Sequence, residues 1–190
     1  MSSMKRRAFL GGIGAAIGGF AQLNEASATL LRGLSLEQLS KGSDHILVGV
    51  ALEAVSHWET LGGRRRIVTD TRVRVDDVVA RAAPSDLELQ VRTLGGTIGD
   101  VAALVYGEAQ LSLNESCLLF LSNHDTGIRR VVGMAQGHYP LRRDPSQALR
   151  LLASPRMPEL VGKSSPFAVQ RLVGKELSEA RVLVREAIAK

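Results

Sequence analysis

The chain has 190 residues, a formal net charge of +5, one cysteine, one tryptophan, two tyrosines and four phenylalanines. A single thiol excludes an internal disulfide. So few rings supply no stacking platform for nucleic acid or sugar. Beyond the N-terminal segment no apolar run approaches the ~20 residues a bilayer crossing needs, so no transmembrane anchor is expected there.

The first residues fall into three zones. Lys5, Arg6 and Arg7 are basic, Ala8 to Ala21 carries no charge, and a more polar stretch ends in Ala26-Ser27-Ala28. This order predicts a secretory signal peptide over residues 1–28, cleaved after Ala28 at a small-x-small site. Arg6 and Arg7, one free residue, then Phe9 and Leu10 match the twin-arginine export pattern, although Lys5 stands where Ser or Thr is usual. The expected location is therefore periplasmic or secreted, in a bacterium, by the twin-arginine route, with ordinary secretion as the other route. Cleavage removes Lys5, Arg6, Arg7 and Glu25, so much of the positive charge belongs to export and no nucleic-acid partner is implied. What remains is one domain of ordinary size.

Leu34 to Ser40 predicts a short helical turn after Ser35, ended by Lys41-Gly42-Ser43. From His45 the period becomes two. Ile46, Val48, Val50, Leu52 and Ala54 form the expected core face, opposite His45, Leu47, Gly49, Ala51 and Glu53. Trp58 to Arg66, with Gly62-Gly63, reads as a flexible hairpin connection. A second strand alternates from Ile67 to Val75, and Asp76-Asp77 predicts a bulge or the strand's end. Ala82 to Ser85 turns at Pro84. Leu87, Leu89, Val91 and Thr93 then face inward, with Asp86, Glu88, Gln90 and Arg92 outward. Val101 to Val105 alternates again. Cys117 to Leu121 reads as a strand covered on both sides, and Ile128 to Ala135 as a further strand that His138 to Leu141 continues past Gly137. Ala148, Leu149, Leu151 and Leu152 suggest a short helix. Leu177, Ala180, Val184, Ala187 and Ile188 recur at helical spacing as a C-terminal amphipathic helix.

These elements predict a mainly β protein: a single partly closed antiparallel, OB-like barrel over residues 29–142, with a helical extension over 143–190 packed on it. A two-layer sheet with the helix on one face is the alternative.

Gly95, Gly96 and Gly99 follow a strand, as in a phosphate-binding loop, but no helix long enough to present its N–H groups begins after them. They read as a chain reversal that leaves room for close ligand approach. His45, His57, His124 and His138 lack metal-ligand spacing. Ser116-Cys117 lacks the nucleophile-elbow frame, and Cys117 sits among apolar neighbours as an inert thiol. No cofactor motif occurs. Arg64, Arg65 and Arg66 are the densest basic run beyond the leader and, with the three glycines, form the candidate binding loop. Arg72, Arg74 and Arg92 could extend a basic patch, yet Asp70, Asp76 and Glu88 share their faces, so the surface reads as mixed.

The segments SDHILVGVALEAVSHW, IVTDTRVRVDDVVA, LELQVRT, LSLNESCLLFLSN and VVGMAQGHYPL occur in that order. This layout is similar to uncharacterised secreted bacterial β-barrel proteins. More distantly it resembles the OB-type barrel of the netrin module and the tissue inhibitors of metalloproteinases. The family phrase G-E-x-Y-L-x-F reads Asn114-Glu115-Ser116-Cys117-Leu118-Leu119-Phe120 here, without the Gly and Tyr. Those inhibitors act through an N-terminal cysteine and are stapled by disulfides; neither is present, so inhibition does not carry over. The expected function is an exported non-enzymatic module binding a protein or an anionic envelope component. The alternative is an exported enzyme or metal-binding protein with a dispersed His/Asp site.

Overall fold

A computed structural model of the protein describes residues 30–124, 127–162 and 166–190. The export motif Arg6, Arg7, Phe9 and Leu10 and the cleavage residues Ala26 and Ala28 lie outside the described residues. The chain enters through β1 (Leu31–Arg32) and turns into α1 (Leu36–Lys41). The Ser35 hydroxyl accepts the Gln38 N–H at 3.2 Å, and the Gln38 side chain accepts the Ser35 N–H at 3.0 Å. This reciprocal cap fixes so short a helix and buries Leu36 and Leu39.

β2 (His45–Leu61) and β3 (Arg64–Arg81) form one long hairpin. Its connection is only Gly62-Gly63, with φ of 56° and 74°, the left-handed backbone that two-residue hairpin loops favour. The expected loop over residues 58–66 is therefore mostly strand. Pairing skips Asp76, since Val48 faces Asp77 and Gly49 faces Val75, so the doubled aspartate marks a bulge within β3. A Cβ at Gly49 would stand 2.6 Å from the Arg74 carbonyl oxygen. Gly49→Ala is therefore expected to cost about 1–3 kcal/mol, read as a lower urea midpoint.

β4 (Glu88–Leu94) follows, then the small hairpin of β5 (Gly96–Ile98) and β6 (Val101–Ala103). β7 (Ser116–Asn123), β8 (Ile128–Val131), a 3₁₀ turn (Met134–Gly137) and β9 (His138–Arg143) come next. β8 stops short of the expected Ala135 because Gly133, at φ 67°, starts the turn. β10 (Leu149–Leu151), β11 (Leu160–Val161), α2 (Ala168–Leu172) and α3 (Leu177–Ala189) complete the chain. The expected helix at Ala148–Leu152 is instead β10, antiparallel to β9. Asp144 decides this: its carboxylate accepts the N–H groups of Ser146 and Ala148 and holds a tight reversal.

The main sheet has seven strands in the order β10-β9-β7-β2-β3-β4-β8, and β7 pairs with β8 as well. β4 and β8 run parallel, with Gln90 opposite Ile128, so the sheet is mixed and not antiparallel throughout. A parallel neighbour needs a long crossover, and the chain between β4 and β8 supplies one that includes β7. The protein is thus mainly β with a C-terminal helix.

Two apolar layers follow from the alternation. Ile46, Val48, Leu118, Phe120 and Tyr139 pack with Leu36, Leu39, Leu172, Ala180 and Val184 beneath the helices. Leu47, Val73, Leu89, Val91, Cys117, Leu119 and Leu121 pack on the opposite face. The start of β2 therefore buries both faces, not the even set alone, because it lies between two layers. α3 is tied down by ion pairing of Arg181 with Asp77.

Candidate functional site

The β2–β3 pairing continues to Leu61 opposite Arg64, so Arg64, Arg65 and Arg66 occupy the end of an arm and are all exposed. Trp58 is 41 % exposed, and the Arg65 guanidinium lies over its ring at 4.8 Å. Among the described residues no carboxylate pairs with Arg64 or Arg66. The other arginines of this side are neutralised. Arg72 pairs with Glu88 at 3.0 Å and Glu53 at 3.3 Å, and Arg74 with Asp76 at 2.8 Å. The mixed surface read from the alternation is present here.

Arg92 keeps its expected outward side but is not exposed there. It is only 9 % exposed, chelated by Asp70 on one side and by Glu59 on the other. The hydrogen bond to Asp70 is the largest influence raising its pKa, against the cost of burial. Asp70 and Arg92 are direct cross-strand partners, a register that the sequence does not reveal.

Gly95, Gly96 and Gly99 belong to the β5–β6 hairpin, with φ of 93°, 133° and 56°. Gly96 presses on the side chains of Ser56 and Thr69, where a Cβ would collide. The Ser56–Thr69 pair lies five residues along β2 from Leu61, roughly 17 Å at strand rise. The glycines and the arginine triplet are therefore separate features, not one loop.

The glycine hairpin roofs a groove of about 460 Å³. Its floor is Thr69, Thr71 and Thr93, and its walls include Ala102, Glu108 and Arg156. Sequence reasoning missed it, although threonines at inward positions of two strands were its signal. Burial pushes the Glu108 carboxyl pKa up, opposed by the N–H groups of Ala109 at 3.0 Å and Leu94 at 3.2 Å. Glu108 thus caps the end of β4, beyond the reach of β8.

The histidines are dispersed. His45 is held by the Ala82 carbonyl at 2.7 Å and Asn123 at 3.2 Å. His57 Nε2 lies 3.9 Å from Asp70. His138 Nδ1 meets the Ser154 hydroxyl at 2.8 Å inside the fold. Among the described residues no three His, Cys, Asp or Glu gather to hold a metal. Cys117 is buried in the second apolar layer, and burial pushes its thiol up to about 12. A thiol reagent at mildly alkaline pH should leave the native protein unmodified and label one site after unfolding. Rapid native labelling would place the thiol at the surface. No described helix is long and apolar enough to cross a membrane. Comparison with models of known protein families and with curated proteins gives no match.

Proposed function

We propose that the chain is an exported, non-enzymatic binding module of the OB type, which engages a protein or an anionic envelope component through the end of the β2–β3 arm. The barrel reading is supported by pairings that run from β2 to β3, β4, β8 and β7 and return to β2. Barrels of this type commonly use the loop between their first two strands for ligands. The export reading rests on the leader that ends at Ala28. One observation carries the binding reading: three adjacent exposed arginines, without carboxylates on Arg64 or Arg66, stand beside the exposed Trp58. Such a group gains attraction for anionic surfaces that salt screens within about 8–10 Å at physiological strength.

The test is co-sedimentation of the mature chain with vesicles of anionic phospholipid, and retention on an immobilised anionic polysaccharide. The Arg64→Glu/Arg65→Glu/Arg66→Glu variant should lose at least about tenfold in affinity, close to 1.4 kcal/mol, and added salt should do the same to the wild type. Equal, salt-insensitive behaviour of the two proteins overturns the arm as the site.

A further inference from the structure

The groove under the glycine hairpin carries a second reading, independent of the arm. Along β3 and β4 the inward residues form two zones. Val73, Leu89 and Val91 belong to the second apolar layer, while Thr69, Thr71 and Thr93 continue the same faces into the groove. Thr69 donates its hydroxyl to the Gly95 carbonyl at 2.7 Å and faces the Ser56 hydroxyl at 2.8 Å. Thr93 reaches the Thr69 carbonyl only at 3.5 Å. Thr71 is 2 % exposed, and its hydroxyl has no partner among the described residues. Thr71 lines the groove, so this hydroxyl is available to a ligand there.

The walls specify that ligand. Arg156 is exposed at the groove, and among the described residues no carboxylate pairs with it. β6 pairs only with β5, so its outer edge at Ala102 is unpaired among the described residues. Ala54, Ala102 and Ala103 leave space for a main chain to lie close. Glu108 is satisfied by two backbone N–H groups but still disfavours acidic side chains nearby.

We propose that this groove takes the C-terminal end of an extended polypeptide, its main chain along the β6 edge and its terminal carboxylate on Arg156. Strand addition supplies main-chain hydrogen bonds, and a guanidinium fork matches a carboxylate. The Thr71 hydroxyl donates to a peptide carbonyl. The volume of about 460 Å³ admits a short end with small, non-acidic side chains.

The experiment is calorimetric titration of the mature chain with acetyl-trialanine carrying a free carboxylate, and with the same peptide amidated. The acid should bind at least about tenfold tighter than the amide. Arg156→Gln, at an exposed position, should abolish that preference, whereas a purely structural role would leave it intact. Thr71→Val should weaken both peptides alike. The arginine-triplet variant should leave both affinities unchanged, which separates failure here from failure of the arm. No binding of the acid, equal binding of acid and amide, or a preference that survives Arg156→Gln overturns the proposal.

Discussion

Arg92→Ala is expected to lower the unfolding free energy by about 2–3 kcal/mol, because it leaves two half-buried carboxylates without their guanidinium. Arg92 Nε and Nη2 hold the two Asp70 oxygens at 2.6 and 2.7 Å, and Nη1 lies 2.6 Å from both Glu59 oxygens. The side chains of Asp70 and Glu59 are only 18 % and 30 % exposed, so water replaces the lost guanidinium poorly. His57, 3.9 Å from Asp70, is too distant to substitute. The penalty therefore belongs to the unpaired charges more than to the lost attraction. Adding Asp70→Asn and Glu59→Gln to Arg92→Ala should accordingly restore much of the stability. Urea melts of the single and triple variants check both statements. A loss below about 1 kcal/mol for the single variant would mark the cluster as solvent-screened, like an ordinary surface pair.

The same residue shows where legibility in the sequence ends. The short helical turn after Ser35 was legible from its local pattern, and the structure adds the Ser35–Gln38 cap that closes it. Cys117 to Leu121, apolar without interruption, is a strand buried on both faces. The doubled aspartate marked its bulge. These features depend on neighbours in the chain. Arg92 depends on Asp70, its direct partner on the neighbouring β3, and on Glu59 of β2. Alternation alone puts it outward, which is its geometric side, but says nothing of the carboxylates that bury it. Likewise Leu47 faces a second layer that exists only once β7 and β4 are in place. Leu149 to Leu151 fits either period, and Asp144 tipped it to strand through a turn. The groove joins β3, β4, β6, the segment at Glu108 and the distant Arg156, so no single stretch could announce it. The arginine triplet was legible as a run, but its separation from the glycines was not.

The second large effect is acid sensitivity seated at His138. This ring is 2 % exposed, and its Nδ1 is committed to Ser154, itself 3 % exposed. Burial lowers its pKa from 6.5 to about 4. The folded protein therefore keeps the ring neutral down to about pH 4, while the unfolded chain takes a proton below 6.5. Stability from this group is full above 6.5, falls as pH drops through that window, and is lost by about 4. The total is about 3 kcal/mol, at up to about 1.4 kcal/mol per pH unit. Glu108 acts in the opposite sense, since its raised pKa makes the folded state take up a proton first as pH falls. Asp144, held down to about 2 by Ser146 and then Arg150, keeps its stabilisation above 3.8 and loses it only between there and about 2. His138→Gln retains a partner for Ser154 and removes the titration, so the difference between wild type and variant isolates the ring. Urea midpoints should diverge from neutral pH toward higher acidity, with the wild type falling faster. Parallel curves for the two proteins would mean that water reaches His138 and that the pair with Ser154 is open to solvent.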